Sequence, residues 1–167
     1  MNSPMPTADF RTPPLRRRMA AWLYEGVLLF GLVFAAGLIF SVATQMRHAL
    51  QHRHALQIFL FIVFGAYFIL CWKRGGTLAM QTWHIRLTDK AGNPVGYGRA
   101  FWRYILCWIW FLPPLIAVYI MHWKGAETAV LCTGWVMIWA LSSRLHPQRQ
   151  FWHDILAGTR LIDTRTP

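Results

Sequence analysis

Acidic side chains are scarce in this chain of 167 residues, which carries 6 Asp and Glu against 17 Lys and Arg. A basic excess of this size is typical of nucleic-acid-binding proteins and of membrane proteins with cytosolic loops. The cations stand in short clusters between apolar segments rather than along one polar module. We therefore expect no nucleic-acid partner.

Cysteine is also scarce, and the motifs of common catalytic sites are missing. The three cysteines fall inside apolar runs and form no C-x-x-C pair, which excludes a disulfide framework or a zinc site. The short run Gly75 to Thr77 lacks the longer pattern and the lysine of a phosphate-binding loop. Because no nucleophile stands with a base, we predict that the protein is not an enzyme and holds no cofactor.

Histidine offers one weak metal pattern. His48 and His52 stand four residues apart, with His54 nearby, but no acidic or thiol ligand joins them. We therefore predict no metal site.

Long apolar runs dominate what is present, since 56% of the residues are hydrophobic and 10 are Trp. A helix needs about 20 apolar residues to cross a bilayer. The sequence thus predicts an all-α integral membrane protein with four candidate spans, at residues 19–44, 56–72, 100–121 and 126–141. Pro113 and Pro114 should kink or break the third span. The fourth is short, and a re-entrant hairpin is its alternative.

The distribution of charge favours four spans with both termini in the cytosol. That topology places 14 of the 17 Lys and Arg inside, in the amino tail, the central loop and the carboxyl tail. A re-entrant fourth segment would instead put four Arg of the carboxyl tail outside. We therefore divide the chain into a cytosolic tail at 1–18, a transmembrane domain at 19–163 and a short tail at 164–167.

Two short elements are expected at the cytosolic face. Residues 83–89 alternate apolar and polar side chains and are followed by the turn-prone KAGNP and then VGYG, which predicts a small β-hairpin. The run 159–163 has a similar pattern and is a candidate third strand. Between Phe151 and Leu156 the apolar spacing predicts a short interfacial helix that Gly158 ends.

Glu25 is the one carboxylate near the start of the first span. It lies about one helical turn below Trp22, roughly 4.5 Å deeper, and is therefore close to the cytosolic boundary. It is either a buried acid neutralised by a partner or a proton or cation site. Arg103 enters the same boundary from the third span, and we expect an ion pair between it and Glu25 if the two helices are neighbours. Arg18 is two turns away on the same face.

His153 and Asp154 are the polar members of the short carboxyl-terminal helix. A neutral imidazole beside a carboxylate is an arrangement used in proton transfer, although the polar edge of any helix has the same sequence appearance. The pattern is therefore compatible both with proton transfer and with an ordinary polar helix edge.

Three motifs resemble the RDD family of small multi-pass bacterial membrane proteins, named for one Arg and two Asp. RMAAWLYE keeps the spacing from Arg18 to an acid, here Glu25 in place of Asp. The block from Gly75 to Arg103 is similar to the family's central segment, with Ala79 and Gln81 at its usual Gly and Lys positions. WHDILAGT matches H-D-x-L-A-G-T and places the second acid at Asp154.

The resemblance implies a bacterial inner membrane location, and a cation or proton exchange has been proposed for some family members. We accordingly expect a functional charge cluster of Arg18, Glu25, Arg103 and Asp154, with His153 as a secondary member. The expected partners are the lipid bilayer, a monovalent cation or proton, and either a second copy of the chain or another membrane protein. The alternative function is a non-transporting scaffold that docks a partner on its basic cytosolic face.

Overall fold

The computed structural model of the protein describes residues 11–45, 53–143 and 150–165. Within these ranges the chain forms six helices and two short strands. In chain order they are α1 (Leu15–Ala43), α2 (Arg53–Lys73), α3 (Leu78–Thr82), β1 (Ile85–Asp89), α4 (Tyr97–Met121), α5 (Ala126–Ser142), α6 (Trp152–Leu156) and β2 (Thr159–Asp163).

Three of these helices are long and apolar enough to cross a membrane: α1, α4, and α2 together with the turn and short helix that follow it. At about 1.5 Å per residue, α1 extends for roughly 43 Å, which exceeds the ~30 Å hydrocarbon core. Large apolar side chains point outward along them, including Phe30 at 75% and Ile120 at 63% exposure. Such surfaces are stable in contact with lipid and costly in water. The fourth apolar helix, α5, has 17 residues and is shorter than that core.

The helices lie where hydropathy places the four apolar segments, with some earlier starts. The helix α1 begins at Leu15, so part of the predicted tail at 1–18 is helical, and α4 begins at Tyr97 rather than at 100. His48 and His52, the histidine pair for which we predicted no metal site, lie outside the described residues.

The predicted β-hairpin is wrong in its pairing. Strand β1 forms where expected and the candidate third strand at 159–163 forms as β2, but β1 pairs with β2 directly, antiparallel, with Leu87 opposite Leu161. The segment VGYG does not return as a strand, because α4 starts inside it, and the local pairing is reduced to one bridge between Thr88 and Pro94. Leu87 and Leu161 are both buried. This shared apolar face favours the long-range pairing over the local one.

Close backbone approach joins α2 to α4. The Tyr104 hydroxyl of α4 donates to the carbonyl of Phe61 on α2 at 2.7 Å. Gly65 lies beneath the Tyr104 ring, and a Cβ there would come within 3.2 Å of Tyr104 Cε1. The glycine therefore allows the two helices to pack closely.

The two prolines do not break α4, which continues as one helix to Met121. Pro114 has no N–H, so the carbonyl of Trp110, four residues earlier, loses its usual helical donor. The indole N–H of Trp135 on α5 donates to that carbonyl at 3.1 Å. The proline thereby creates an acceptor that holds α5 against α4.

Candidate functional site

The carboxylate of Glu25 lies against α2 and the start of α3. Tyr67 donates its hydroxyl to Oε1 at 2.7 Å, and Thr77 donates to Oε2. Glu25 is only 8% exposed. Among the residues that the structure describes, no Lys, Arg or His nitrogen forms an ion pair with it. Glu25 is therefore a buried acid held by neutral hydroxyl groups.

A glycine turn directs Thr77 towards Glu25. Gly75 has a positive φ of 101°, in a region that L side chains rarely adopt. The turn ends α2 and brings the Thr77 hydroxyl to the start of α3, where it also accepts from the Met80 backbone N–H at 3.3 Å. One hydroxyl thus caps α3 and binds the carboxylate of α1.

The second acid has a different environment, because Arg103 pairs with Asp154. Arg103 Nε lies 2.6 Å from Asp154 Oδ1, and the two side chains are 4% and 0% exposed. The guanidinium also stacks 4.2 Å above the ring of Trp72. The ion pair predicted between Glu25 and Arg103 is accordingly not formed. The closer carboxylate of α6 takes the cation instead.

The electrostatics of α6 favour a charged aspartate and a neutral histidine. Burial alone would raise the pKa of Asp154, but the adjacent Arg103 guanidinium, with smaller effects of His153 and Arg18, holds that pKa below its ordinary value. Burial lowers the pKa of His153 to about 4; the negative charge of Asp154 opposes this shift, and the smaller effects of Arg103 and Arg18 add to it. At neutral pH His153 is therefore uncharged, and its 3.6 Å approach to Asp154 is not an ion pair.

His153 acts mainly through packing and one acceptor nitrogen. Its Nε2 lies 3.4 Å from Arg103 Nη2, so the neutral ring accepts from the guanidinium there. The imidazole stacks with Phe151 and Trp139, at centroid distances of 5.6 and 5.8 Å. This arrangement fixes α6 against the amino end of α4 and the carboxyl end of α5.

Arg18 is a second buried cation, at 5% exposure. Its Cζ lies 4.4 Å above the Phe151 ring, and its Nη2 donates to Ser143 Oγ at 3.4 Å. The other two nitrogens, Nε and Nη1, are buried and have no hydrogen-bond partner among the described residues.

A cavity of about 460 Å³ is lined by Glu25 and by both cations, Arg18 and Arg103. It lies between α1 and α2 on one side and α4 and α5 on the other. Arg18, Glu25, Arg103 and His153 line it, together with a larger number of apolar and aromatic side chains. Four of the five predicted site residues therefore share one space, and the fifth, Asp154, is bound to Arg103 at its edge.

A sequence model of the RDD family matches residues 12–158. The chain belongs to the RDD family. No curated protein and no solved structure matches the chain. The match includes α1 with both Arg18 and Glu25, the central segment, and α6 with Asp154, so the family match contains all the charged groups described above.

Within this RDD protein, sequence reasoning missed Tyr67 and Thr77, the two partners of Glu25. Tyr67 is a hydroxyl in an otherwise apolar span, and Thr77 was noted only within a glycine run that is not a phosphate loop and within the family's central segment, without a role of its own. It also missed Arg17, whose guanidinium binds the backbone carbonyls of Trp83 and His84 and pairs with Asp163. Within the described part of the RDD chain, no three His, Cys, Asp or Glu side chains lie close enough to hold a metal.

Proposed function

We propose that this RDD protein exchanges protons against a monovalent cation across the membrane, with Glu25 as the exchanging carboxylate. The observation that carries the proposal is that Glu25 accepts hydrogen bonds from the hydroxyls of Tyr67 and Thr77, forms no ion pair among the described residues, and lies on a cavity wall. An acid paired with arginine is held charged, whereas an acid bound only by hydroxyls can take up either a proton or a cation.

The hydroxyl partners also suit cation binding. Each hydroxyl has one donor proton and two acceptor lone pairs, so it can donate to a bare carboxylate and, after rotation, present an oxygen to a cation. Small monovalent cations prefer oxygen ligands of this kind, as other hard cations do. Glu25, Tyr67 and Thr77 come from three different elements, so a change in their spacing would alter cation affinity.

Asp154 has a different part in this proposal. The buried pair with Arg103 favours a permanently charged aspartate, and the neutral His153 adds an acceptor for the same guanidinium. We therefore assign Arg103, His153 and Asp154 the task of fixing α6 to α4, and leave exchange to Glu25.

The proposed topology has four spans with both termini in the cytosol of a bacterium, α6 and the β1–β2 sheet at the cytosolic face, and no enzymatic activity. The concentration of Lys and Arg on that side supports the orientation. A chain of 19.4 kDa is small for a complete pathway, so we propose a homo-oligomer as the working unit.

The test is ion flux in sealed vesicles containing the purified protein, driven by a pH gradient in sodium or potassium buffer. The wild type should dissipate the gradient in a cation-dependent manner, and Glu25→Gln should abolish this activity. Tyr67→Phe should weaken it, because one oxygen is lost. Glu127→Gln is the matched control, since Glu127 is an exposed acid at the start of α5 and should retain full activity.

A scaffold without transport activity is the second candidate, and the Arg103–Asp154 pair favours it, because it serves to lock helices rather than to move ions. Folded wild-type protein that moves no sodium, potassium or proton above empty liposomes would refute exchange and leave the scaffold. A fully active Glu25→Gln variant would refute the assignment of Glu25.

A further inference from the structure

The cavity between the helices has a second chemical feature that exchange at Glu25 does not use. Its walls are mostly apolar and aromatic, and five tryptophans line it, namely Trp22, Trp72, Trp108, Trp110 and Trp139. The cavity reaches the outer face of α1, where two of its lining side chains, Trp22 and Leu23, are 38% and 63% exposed. A molecule that dissolves in the hydrocarbon of the bilayer would therefore meet the cavity from the side.

Arg18 places a positive charge at the wall of this cavity, and it forms no ion pair among the described residues. The negative charge of Asp154 acts on Arg18, but that carboxylate is bound to Arg103 at 2.6 Å. Among the described residues, Arg18 lies over the Phe151 ring and donates to the Ser143 hydroxyl, while two of its nitrogens have no partner there. A buried cation without an anion is costly, so binding of an anionic group at this point would be stabilising.

We infer that the cavity binds a single-chain amphiphile with an acidic head group, such as a long-chain carboxylate. The head group would accept hydrogen bonds from Arg18, and the chain would lie along the apolar wall of α1, α2 and α4. A volume of about 460 Å³ falls within the range of roughly 300–1,000 Å³ that small-molecule sites occupy. The inference does not depend on ion exchange at Glu25.

The probe is dibromostearate, whose bromine atoms quench tryptophan fluorescence on contact, added to the protein in phosphatidylcholine nanodiscs. Wild-type fluorescence should fall saturably, because the chain lies beside several tryptophans. The methyl ester of the same acid has the same chain but no charge, and it should bind at least about tenfold more weakly, the usual effect of losing a charge-assisted hydrogen bond.

Two pairs of variants distinguish the effect of the Arg18 charge from the effect of filling the cavity. Arg18→Gln should weaken binding by about tenfold or more, whereas Arg16→Gln, at an exposed arginine of the same helix, should not change it. Gly26→Leu should abolish binding with every charge retained, because Gly26 lines the cavity and a side chain there meets open space. Gly37→Leu adds the same side chain elsewhere on α1, outside the cavity lining, and should bind as the wild type does.

Equal binding of the acid and its methyl ester would overturn the inference, since the site would then recognise the chain alone. Unchanged binding by Gly26→Leu would overturn it as well, and this variant decides the matter if Arg18→Gln fails to fold. Inorganic phosphate provides the last arm. If it displaces the probe as effectively as unlabelled stearate does at equal concentration, Arg18 binds small anions and the amphiphile proposal is wrong.

Discussion

Replacing Asp154 by Asn should strongly destabilise the protein, because it removes one partner of a buried ion pair. Arg103 and Asp154 are 4% and 0% exposed and lie 2.6 Å apart, so the remaining guanidinium would be left buried without its anion. Breaking a buried pair in this way costs about 3–5 kcal/mol. At about 2–4 °C per kcal/mol for a chain of this size, the melting temperature should fall by roughly 6–20 °C.

The assay is thermal unfolding in detergent, followed by near-ultraviolet circular dichroism of the many tryptophans. Arg99→Gln is the control, since Arg99 pairs with Asp89 at 3.1 Å but is 55% exposed, and loss of a surface pair costs about 1 kcal/mol or less. The double variant Arg103→Met, Asp154→Leu should recover much of the loss, because apolar replacement of a whole buried pair is often neutral. An Asp154→Asn protein that melts within about 2 °C of the wild type would show that the Arg103–Asp154 pair does not stabilise the fold.

Three further predictions concern neighbouring contacts. The free energy of unfolding should fall as the pH is lowered from 6.5 towards 4, because the unfolded chain binds a proton at His153 that the folded chain excludes. The slope is at most about 1.4 kcal/mol per pH unit. In acid-unfolding curves, His153→Gln should reduce this slope. Trp135→Phe should cost about 1–3 kcal/mol in thermal unfolding, because the Trp110 carbonyl loses its donor, whereas Trp123→Phe, at 40% exposure, should cost less; equal losses would contradict this. Arg17→Gln should speed amide hydrogen exchange in β1 and β2 and leave α4 unchanged, because Arg17 binds the Trp83 carbonyl and Asp163. Equal acceleration in the strands and in α4 would contradict this role of Arg17.

The helices followed directly from the sequence, because long apolar runs leave a chain few alternatives in a membrane. The positions of α1, α2, α4 and α5 were therefore predictable to within four residues. Strands β1 and β2 were both predictable from their alternation, but their direct pairing was not. A short strand can pair locally or with a distant segment, and the choice depends on the burial of Leu87 and Leu161, which sequence spacing does not encode.

The charged residues of the site were recognisable, but their pairing was not. Arg18, Glu25, Arg103 and Asp154 stood out as charges near apolar segments, and the family resemblance grouped them. Which acid takes Arg103 depends on how deeply α6 enters beneath α4, and that is a property of tertiary packing. Tyr67 was missed because hydroxyls are common in apolar spans, and Thr77 because it lies in a loop between elements; only the fold shows that both converge on Glu25.

The proposed function requires that Glu25 exchange a proton for a cation while Asp154 stays charged. Infrared titration of the protein in lipid membranes measures this directly, because a protonated carboxyl group has its own C=O stretching band, and Glu25→Gln and Asp154→Asn assign the bands. We expect a band that grows on acidification, shrinks when sodium or potassium is added at fixed pH, and vanishes in Glu25→Gln but not in a folded Asp154→Asn protein. A cation-sensitive band that persists in Glu25→Gln, or a Glu25 band that no cation alters, would contradict exchange at Glu25.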